Sequence, residues 1–196
     1  MPRHADHAER RQQLTAAATR VIATEGLAAA TVRRISDEAG HSTGVLTRYF
    51  DSKADVILAA VDEAVGRFEQ RITRATRHAR GLARLEALLV SDLPDDAETD
   101  ADTRLWLDLW AAAPTDPQIA AACRHLYQRW REELTSAMEE AVADGDLPPE
   151  IATPRQMDLL IATVDGLCVQ AIIDPDRVSP ADLKRSVADH LAHLAR

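Results

Sequence analysis

Helical punctuation constrains this chain more than any other feature. Apolar residues recur at three- and four-residue spacing almost throughout, cut by Gly, by Pro and by Ser, Thr or Asp where helices begin and end. Leu14, Ala17, Ala18, Val21 and Ile22 form one stripe over residues 6–25, and Gly26 closes it with the left-handed residue a helix C-terminus favours. Thr31 then caps a short helix with Val32, Ile35 and Ala39 inward, ended by Gly40. Ser42 opens a third, anchored by Val45 and Leu46 and reaching Tyr49 and Phe50. Ser52 opens a fourth, with Asp55 imitating a capping box; Val56, Ile57, Ala60, Val61, Ala64, Val65, Phe68 and Ile72 carry it towards His78.

Beyond Gly81 a fifth helix is expected over residues 82–90. Residues 91–102, rich in Asp and Glu and containing Pro94, read as a mobile loop. A sixth helix is expected over 103–113, stopped by Pro114, and a seventh from Asp116-Pro117 to Asp144, closed by Gly145. The eighth starts at Thr153-Pro154, with Gln156 completing a capping box, and stops before Pro175. The ninth starts at Ser179-Pro180 with Asp182 in its first turn. Pro suits the first helical position because its missing N–H has no intrahelical partner there. No alternating Val/Ile/Thr run bounded by hairpin turns is present. The expected fold is all-α: a three-helix module in residues 1–53, joined through the helix from Ser52 to a helical body in residues 54–196.

Charge divides along the same line. The 196 residues carry a net charge of −9, but residues 1–53 sum to +2 and residues 54–196 to −11. A small DNA-contacting module on an acidic body has this asymmetry. Cys123 and Cys168, both within apolar helical patterns, read as buried free thiols in a reducing compartment. The first residues lack the apolar core of a secretory signal, and no run approaches the ~18 consecutive apolar residues of a membrane span. A cytoplasmic chain with no membrane partner is expected. His4/His7 and His190/His193 lie near the ends, and no Cys/His/carboxylate cluster has zinc-ligand spacing, so neither a metal nor a cofactor is expected.

Residues 31–53, TVRRISDEAGHSTGVLTRYFDSK, carry the functional signal. Two short helices are joined by a tight turn at Gly40. With Val45 and Leu46 inward, the second presents Thr43, Gly44, Thr47, Arg48 and Tyr49 outward. Hydroxyls and a guanidinium suit phosphate oxygens and base edges, and Gly44 lets a backbone approach closely. Lys53 stands beside the positive N-terminal dipole of the fourth helix.

The segment EGLAAATVRRISDEAGHSTGVLTRYFDSKADVILAA resembles the N-terminal domain of the tetracycline repressor (TetR) family. The shared features, in order, are the Gly after helix one, the Thr opening helix two, the Ala-Gly turn, Ser-x-Gly-x-Leu, Tyr-Phe and Ser-Lys, over roughly residues 8–62. The resemblance implies a helix-turn-helix that meets double-stranded operator DNA through Thr31, Arg33, Thr43, Gly44, Thr47, Arg48, Tyr49 and Lys53. The chain departs from the family at His41, usually Val, and at Thr47, usually Tyr.

The body is similar, more loosely, to that of the BetI-like subgroup. The likeness lies in the Trp-Leu-x-x-Trp helix, the Asp-Pro start of the seventh helix and the Asp-Gly-Leu of the eighth. The eighth helix is apolar nearly all round and must be buried on more than one side. The resemblance implies that the last two helices pair with those of a second copy, with Leu160, Val164, Leu167, Cys168, Ile172, Leu183, Val187 and Leu191 at the interface. A symmetric homodimer would deliver two recognition helices to major grooves about 34–36 Å apart. Trp106, Trp110, Tyr127, Trp130 and Asp165 admit two readings. Aromatic side chains at helical spacing usually pack a core; together with a carboxylate they also suit a pocket for a small-molecule effector, a quaternary ammonium included.

The expected function is a ligand-responsive transcriptional repressor that leaves its palindromic operator when an effector binds. An enzyme is the rival class, and the sequence has no nucleophile elbow, P-loop, dinucleotide fingerprint or HExxH. A protein-interaction module whose helix-turn-helix no longer meets DNA is the third.

Overall fold

The computed structural model describes residues 2–196, with side chains from His7 onward. Nine α-helices and two short 3₁₀ turns are described, and no strand. The helices are α1 (Pro2–Glu25), α2 (Val32–Glu38), α3 (Thr43–Tyr49), α4 (Lys53–Thr76), α5 (Gly81–Val90), α6 (Ala97–Ala112), α7 (Pro117–Ala143), α8 (Pro154–Ile173) and α9 (Pro180–Leu194). The 3₁₀ turns, Leu27–Ala29 and Pro149–Ile151, have no counterpart in the periodicity.

The caps account for most of the boundaries. Thr31 Oγ1 accepts the Arg34 N–H at 3.1 Å, and Ser52 Oγ accepts the Asp55 N–H at 3.1 Å. Asp116 Oδ1 accepts the N–H groups of Gln118 and Ile119 at the start of α7. Both halves of the capping box Ser179/Asp182 form at α9. At α8, Thr153 receives the Gln156 N–H. Each such cap satisfies an amide that the helix itself leaves orphaned.

The residues separate into two compact units, Met1–Gly66 with Arg104–Cys123, and Arg67–Thr103 with Arg124–Arg196. In the first, the α1 stripe Leu14, Ala17, Ala18, Val21 and Ile22 is buried, as are Ile35 of α2, Leu46 of α3, Phe50, and Val56, Ala60, Val61 and Ala64 of α4. In the second, one core gathers Phe68 and Ile72 of α4, Leu85, Leu88 and Leu89 of α5, Trp130, Leu134 and Met138 of α7, and the inner faces of α8 and α9. Helix α9 packs against α5 and α8. Helix α4 runs without a break from the first unit into the second, and α6 from the second into the first.

The expected loop at 91–102 is half helix. Asp96 Oδ1 accepts the N–H groups of Glu98 and Thr99 and opens α6 six residues earlier than the periodicity indicates. Asp102, the last residue of that expected loop, is 3% exposed and receives Arg67 at 2.5 Å and Arg71 at 2.7 Å. The acids of this stretch cap a helix and join α6 to α4, so their charge is not a sign of disorder. Truncating one side of a buried ion pair leaves the other charge stranded, at a cost of about 3–5 kcal/mol. Asp102→Ala should therefore lower the urea unfolding midpoint far more than Glu86→Ala at an exposed acid, measured by circular dichroism.

Candidate DNA-binding and effector sites

The turn between α2 and α3 closes tightly. Gly40, at φ 70°, donates to Asp37 O at 3.1 Å, and the His41 N–H reaches Ser36 O at 2.8 Å. That pairing ends α2 in a Schellman-type reversal, a backbone conformation glycine adopts without strain. His41 then ties the turn to α1: its Nε2 accepts from Arg10 Nη1 at 3.1 Å. The position that departs from the family is therefore a brace.

Ion pairs sort the two neighbouring arginines of α2. Arg34 grips Glu25 through Nε and Nη2 (2.9 and 2.5 Å) and Glu38 at 3.0 Å, while Arg20 donates to Glu38 at 3.0 Å. Arg20 and Arg34 together hold the Glu38 carboxyl below its ordinary range. Arg34 thus belongs to the scaffold. Arg33, 88% exposed, has only a 3.9 Å approach to Asp37.

The other sequence-derived DNA residues lie on the same unit. Thr31, Thr43, Gly44, Thr47, Arg48 and Lys53 are exposed and Tyr49 is half-buried, its ring 4.5 Å from that of His7. Thr47 Oγ1 donates back to Thr43 O at 3.2 Å. Lys53 Nζ is 3.5 Å from Leu27 O. On the other side of the same residue, Asp108 Oδ2 of α6 accepts the Leu27 N–H at 2.6 Å. Asp108 thereby holds the loop that leads into α2. The structured pair α2–α3, its buried brace and its exposed cationic outer side together define a helix-turn-helix.

Comparison with known proteins agrees. Residues 14–60 match the family model of bacterial regulatory proteins of the tetR family, and residues 81–196 match the C-terminal model of BetI-type transcriptional repressors. The chain belongs to the tetR family, with a BetI-type C-terminal domain, and is a transcriptional regulator, not an enzyme. It is 29% identical to the regulator PksA of Bacillus subtilis over 99% of this chain and 94% of the relative. It is 30% identical to a BetI regulator of Stenotrophomonas maltophilia over 66% and 67% of the two. Among solved structures it resembles a regulator of Rhodococcus sp. Rha1 (27% identity, 94% and 95% coverage, TM-score 0.82). A regulator of Saccharomonospora viridis in complex with choline shares the fold (23% identity, 95% and 97% coverage, TM-score 0.89).

The five residues considered for an effector pocket divide between the units: Trp106 and Trp110 in the first, Tyr127, Trp130 and Asp165 in the second. Trp106 and Trp130 are buried, and Trp130 meets Phe68 edge-on at 5.0 Å. Those two pack as core side chains. Tyr127 differs, because its hydroxyl donates to Asp165 Oδ2 at 2.7 Å. Burial raises the Asp165 carboxyl despite that bond.

The periodicity did not mark Asp92. Burial pushes its carboxyl up to about 7 against the pull of Arg71, with Asp165 and Asp102 reinforcing the rise. Its carbonyl oxygen lies 3.7 Å from Cys168 Sγ, and Cys168 and Cys123 are both buried and form no disulfide. Arg71 Nε is buried without a hydrogen-bond partner. Acids and an orphaned donor therefore concentrate in the second unit, around Tyr127–Asp165. Elsewhere in the second unit a cavity of about 310 Å³ is lined by Met138, Met157, Thr135 and the Arg131–Asp158 ion pair, not by the tryptophans. Among the described residues no group has the make-up of a metal site; His4 lies outside the described side chains.

Of the eight residues expected between subunits, Leu160, Val164, Cys168, Leu183, Val187 and Leu191 are buried in the chain's own core, and Leu167 and Ile172 are half-buried. The large apolar side chains left exposed are Leu159 and Ile173, both on α8. Helix α8 is also the one described helix long and apolar enough to cross a membrane by length and composition, with mean hydropathy 1.5. Six of its side chains face the core.

Asp92 has a measurable consequence. From its ordinary 3.8 up to about 7, the folded chain keeps a proton that the unfolded chain has released, so stability falls as pH rises through that window. Asp92→Asn should flatten this part of the stability–pH curve and raise the melting temperature at about pH 8. Thermal unfolding across the pH range measures both.

Proposed function

We propose that this chain is a homodimeric repressor in the cytoplasm that binds a palindromic operator and leaves it when a small molecule enters the second unit. One observation carries the DNA half: Arg48 and Lys53 are exposed and make no ion pair with a described residue, and exposed Arg33 approaches Asp37 only at 3.9 Å, while adjacent Arg34 is tied down by Glu25 and Glu38. Arg48 and Lys53 take backbone phosphates. Thr43, Gly44 and Thr47 of α3 face base edges in the major groove, and Thr31 and Tyr49 flank them. The functional division stays at residues 1–53 and 54–196, with α4 continuous across it.

The outer side of α8 supports the dimer. Its solvent side carries Leu159, Ala162, Gly166, Val169 and Ile173, a 3-4-3-4 spacing that makes a straight apolar seam. Gly166 allows close approach of a partner helix. The seam lies beside the inward residues Leu160, Val164 and Cys168, with Leu167 and Ile172 at its margins.

The effector is a small cation held at Asp92, Asp165 and the Tyr127 hydroxyl. The raised carboxyls support this reading, because a cation supplies the counter-charge they lack. The choline in the Saccharomonospora viridis neighbour supports it independently. Rearrangement there would reach the head along the backbone, since α4 carries Arg67, Arg71 and Lys53, and α6 carries Asp102 and Asp108. The effector releases DNA only to the extent that it binds the released state more tightly.

The test is duplex selection from a random pool, followed by titration of the selected DNA at several salt concentrations. Arg48→Ala and Lys53→Ala should each weaken binding and reduce the salt slope by about one. Arg34→Ala should instead lower the melting temperature. Wild-type affinity in both phosphate-contact variants would overturn the assignment. Separately, Leu159→Glu combined with Ile173→Glu should give a monomer in sedimentation analysis; a dimer unchanged in these variants would place the interface elsewhere.

A further inference from the structure

The first unit holds a cavity of about 470 Å³, within the size range of small-molecule sites. Its apolar walls are Leu27 after α1, Ile57 and Leu58 of α4, Ala112 at the end of α6 and Ile119 of α7. One cation, Lys53, stands among them. The Lys53 ammonium has a single contact, 3.5 Å to the Leu27 carbonyl, which is long for a charged donor, and it makes no ion pair with a described residue. Asp116 is the one acid in the lining, and its Oδ1 is engaged by the Gln118 and Ile119 amides at 2.9 and 3.2 Å. Lys53 also begins α4, where the helix dipole adds to the positive potential.

A largely apolar wall with one cation in no ion pair with a described residue matches an amphiphile with an aliphatic tail and a single anionic head. We propose that this cavity is a second effector site, taking a medium-chain carboxylate with its head on Lys53 Nζ and its tail against Ile57, Leu58, Ala112 and Ile119. Binding itself needs only the cavity. Its consequence rests on the DNA reading above: one ammonium cannot serve both a phosphate and the ligand's carboxylate, so the ligand and the operator compete.

Octanoate is the probe, with octanol and octyltrimethylammonium as neutral and cationic controls, titrated calorimetrically into the full chain. Octanoate should bind at one site per chain and octanol more weakly. Lys53→Met, which keeps the stem and removes the charge, should weaken octanoate by about five- to tenfold and leave octanol unchanged. Ala112→Phe, which fills the cavity, should abolish octanoate binding while the melting temperature and DNA affinity stay near wild type. No octanoate binding to the wild type, equal affinity in Ala112→Phe, or tighter binding of the cationic control to this site would overturn the proposal. If Ala112→Phe unfolds, Leu58→Gln, which makes the wall polar, gives the same readout. Loss of octanoate binding in Lys53→Met with DNA affinity intact would keep the cavity and refute the phosphate contact instead.

Discussion

Asp102 is buried between two arginines of another helix, and much of the architecture depends on that placement. An isolated carboxylate so enclosed would be prohibitively costly; with Arg67 and Arg71 against it, charge is balanced within a small volume. The pair locks α6 to α4. Both helices continue into the unit that contains α2 and α3, and there both hold the same residue: Asp108 of α6 receives the Leu27 N–H, and Lys53 of α4 lies against the Leu27 carbonyl. The segment feeding the recognition pair is thus fixed by the two helices that also carry the buried ions.

Within the head, electrostatics separates support from contact. Glu25, Glu38, Arg20 and Arg34 form a closed network on the rear of α2, satisfied without a ligand. Arg33 and Arg48 are left with weak or no internal partners on the outer side. Partially exposed ion pairs add little stability individually. A network that fixes side-chain positions still matters, because it leaves only the outer cations free to meet a polyanion.

Much of this was legible in the residue order. Caps at Thr31, Ser52, Asp116 and Ser179 and the reversal at Gly40 are local events, so a local pattern locates them. The stretch after Val90 was not, because Asp96 and Asp102 look alike in a list of acids; one caps α6, and the other is buried only because Arg67 and Arg71, thirty-odd positions earlier, come to meet it. The α8 residues taken for the subunit interface illustrate a second limit. Apolar periodicity reports that a side chain is covered, not whether its own chain or another covers it. Leu160 and Leu159 are equally apolar, and only the fold separates the enclosed one from the one left in solvent. The tryptophans fall under the same limit, whereas Asp92 had no pattern to announce it.

Lysine is scarce here. The chain has 21 arginines and two lysines, Lys53 and Lys184, and Lys184 is clasped by Asp95 at 2.6 Å. Acylating reagents and acyl-transfer enzymes attack amines and spare guanidinium groups, and of the two side-chain amines only Lys53 belongs to the unit that holds α2 and α3. Capping that amine would erase a positive charge on the head while leaving every arginine untouched. A head whose other Lys/Arg positions are all arginine thereby offers acyl chemistry a single side-chain amine.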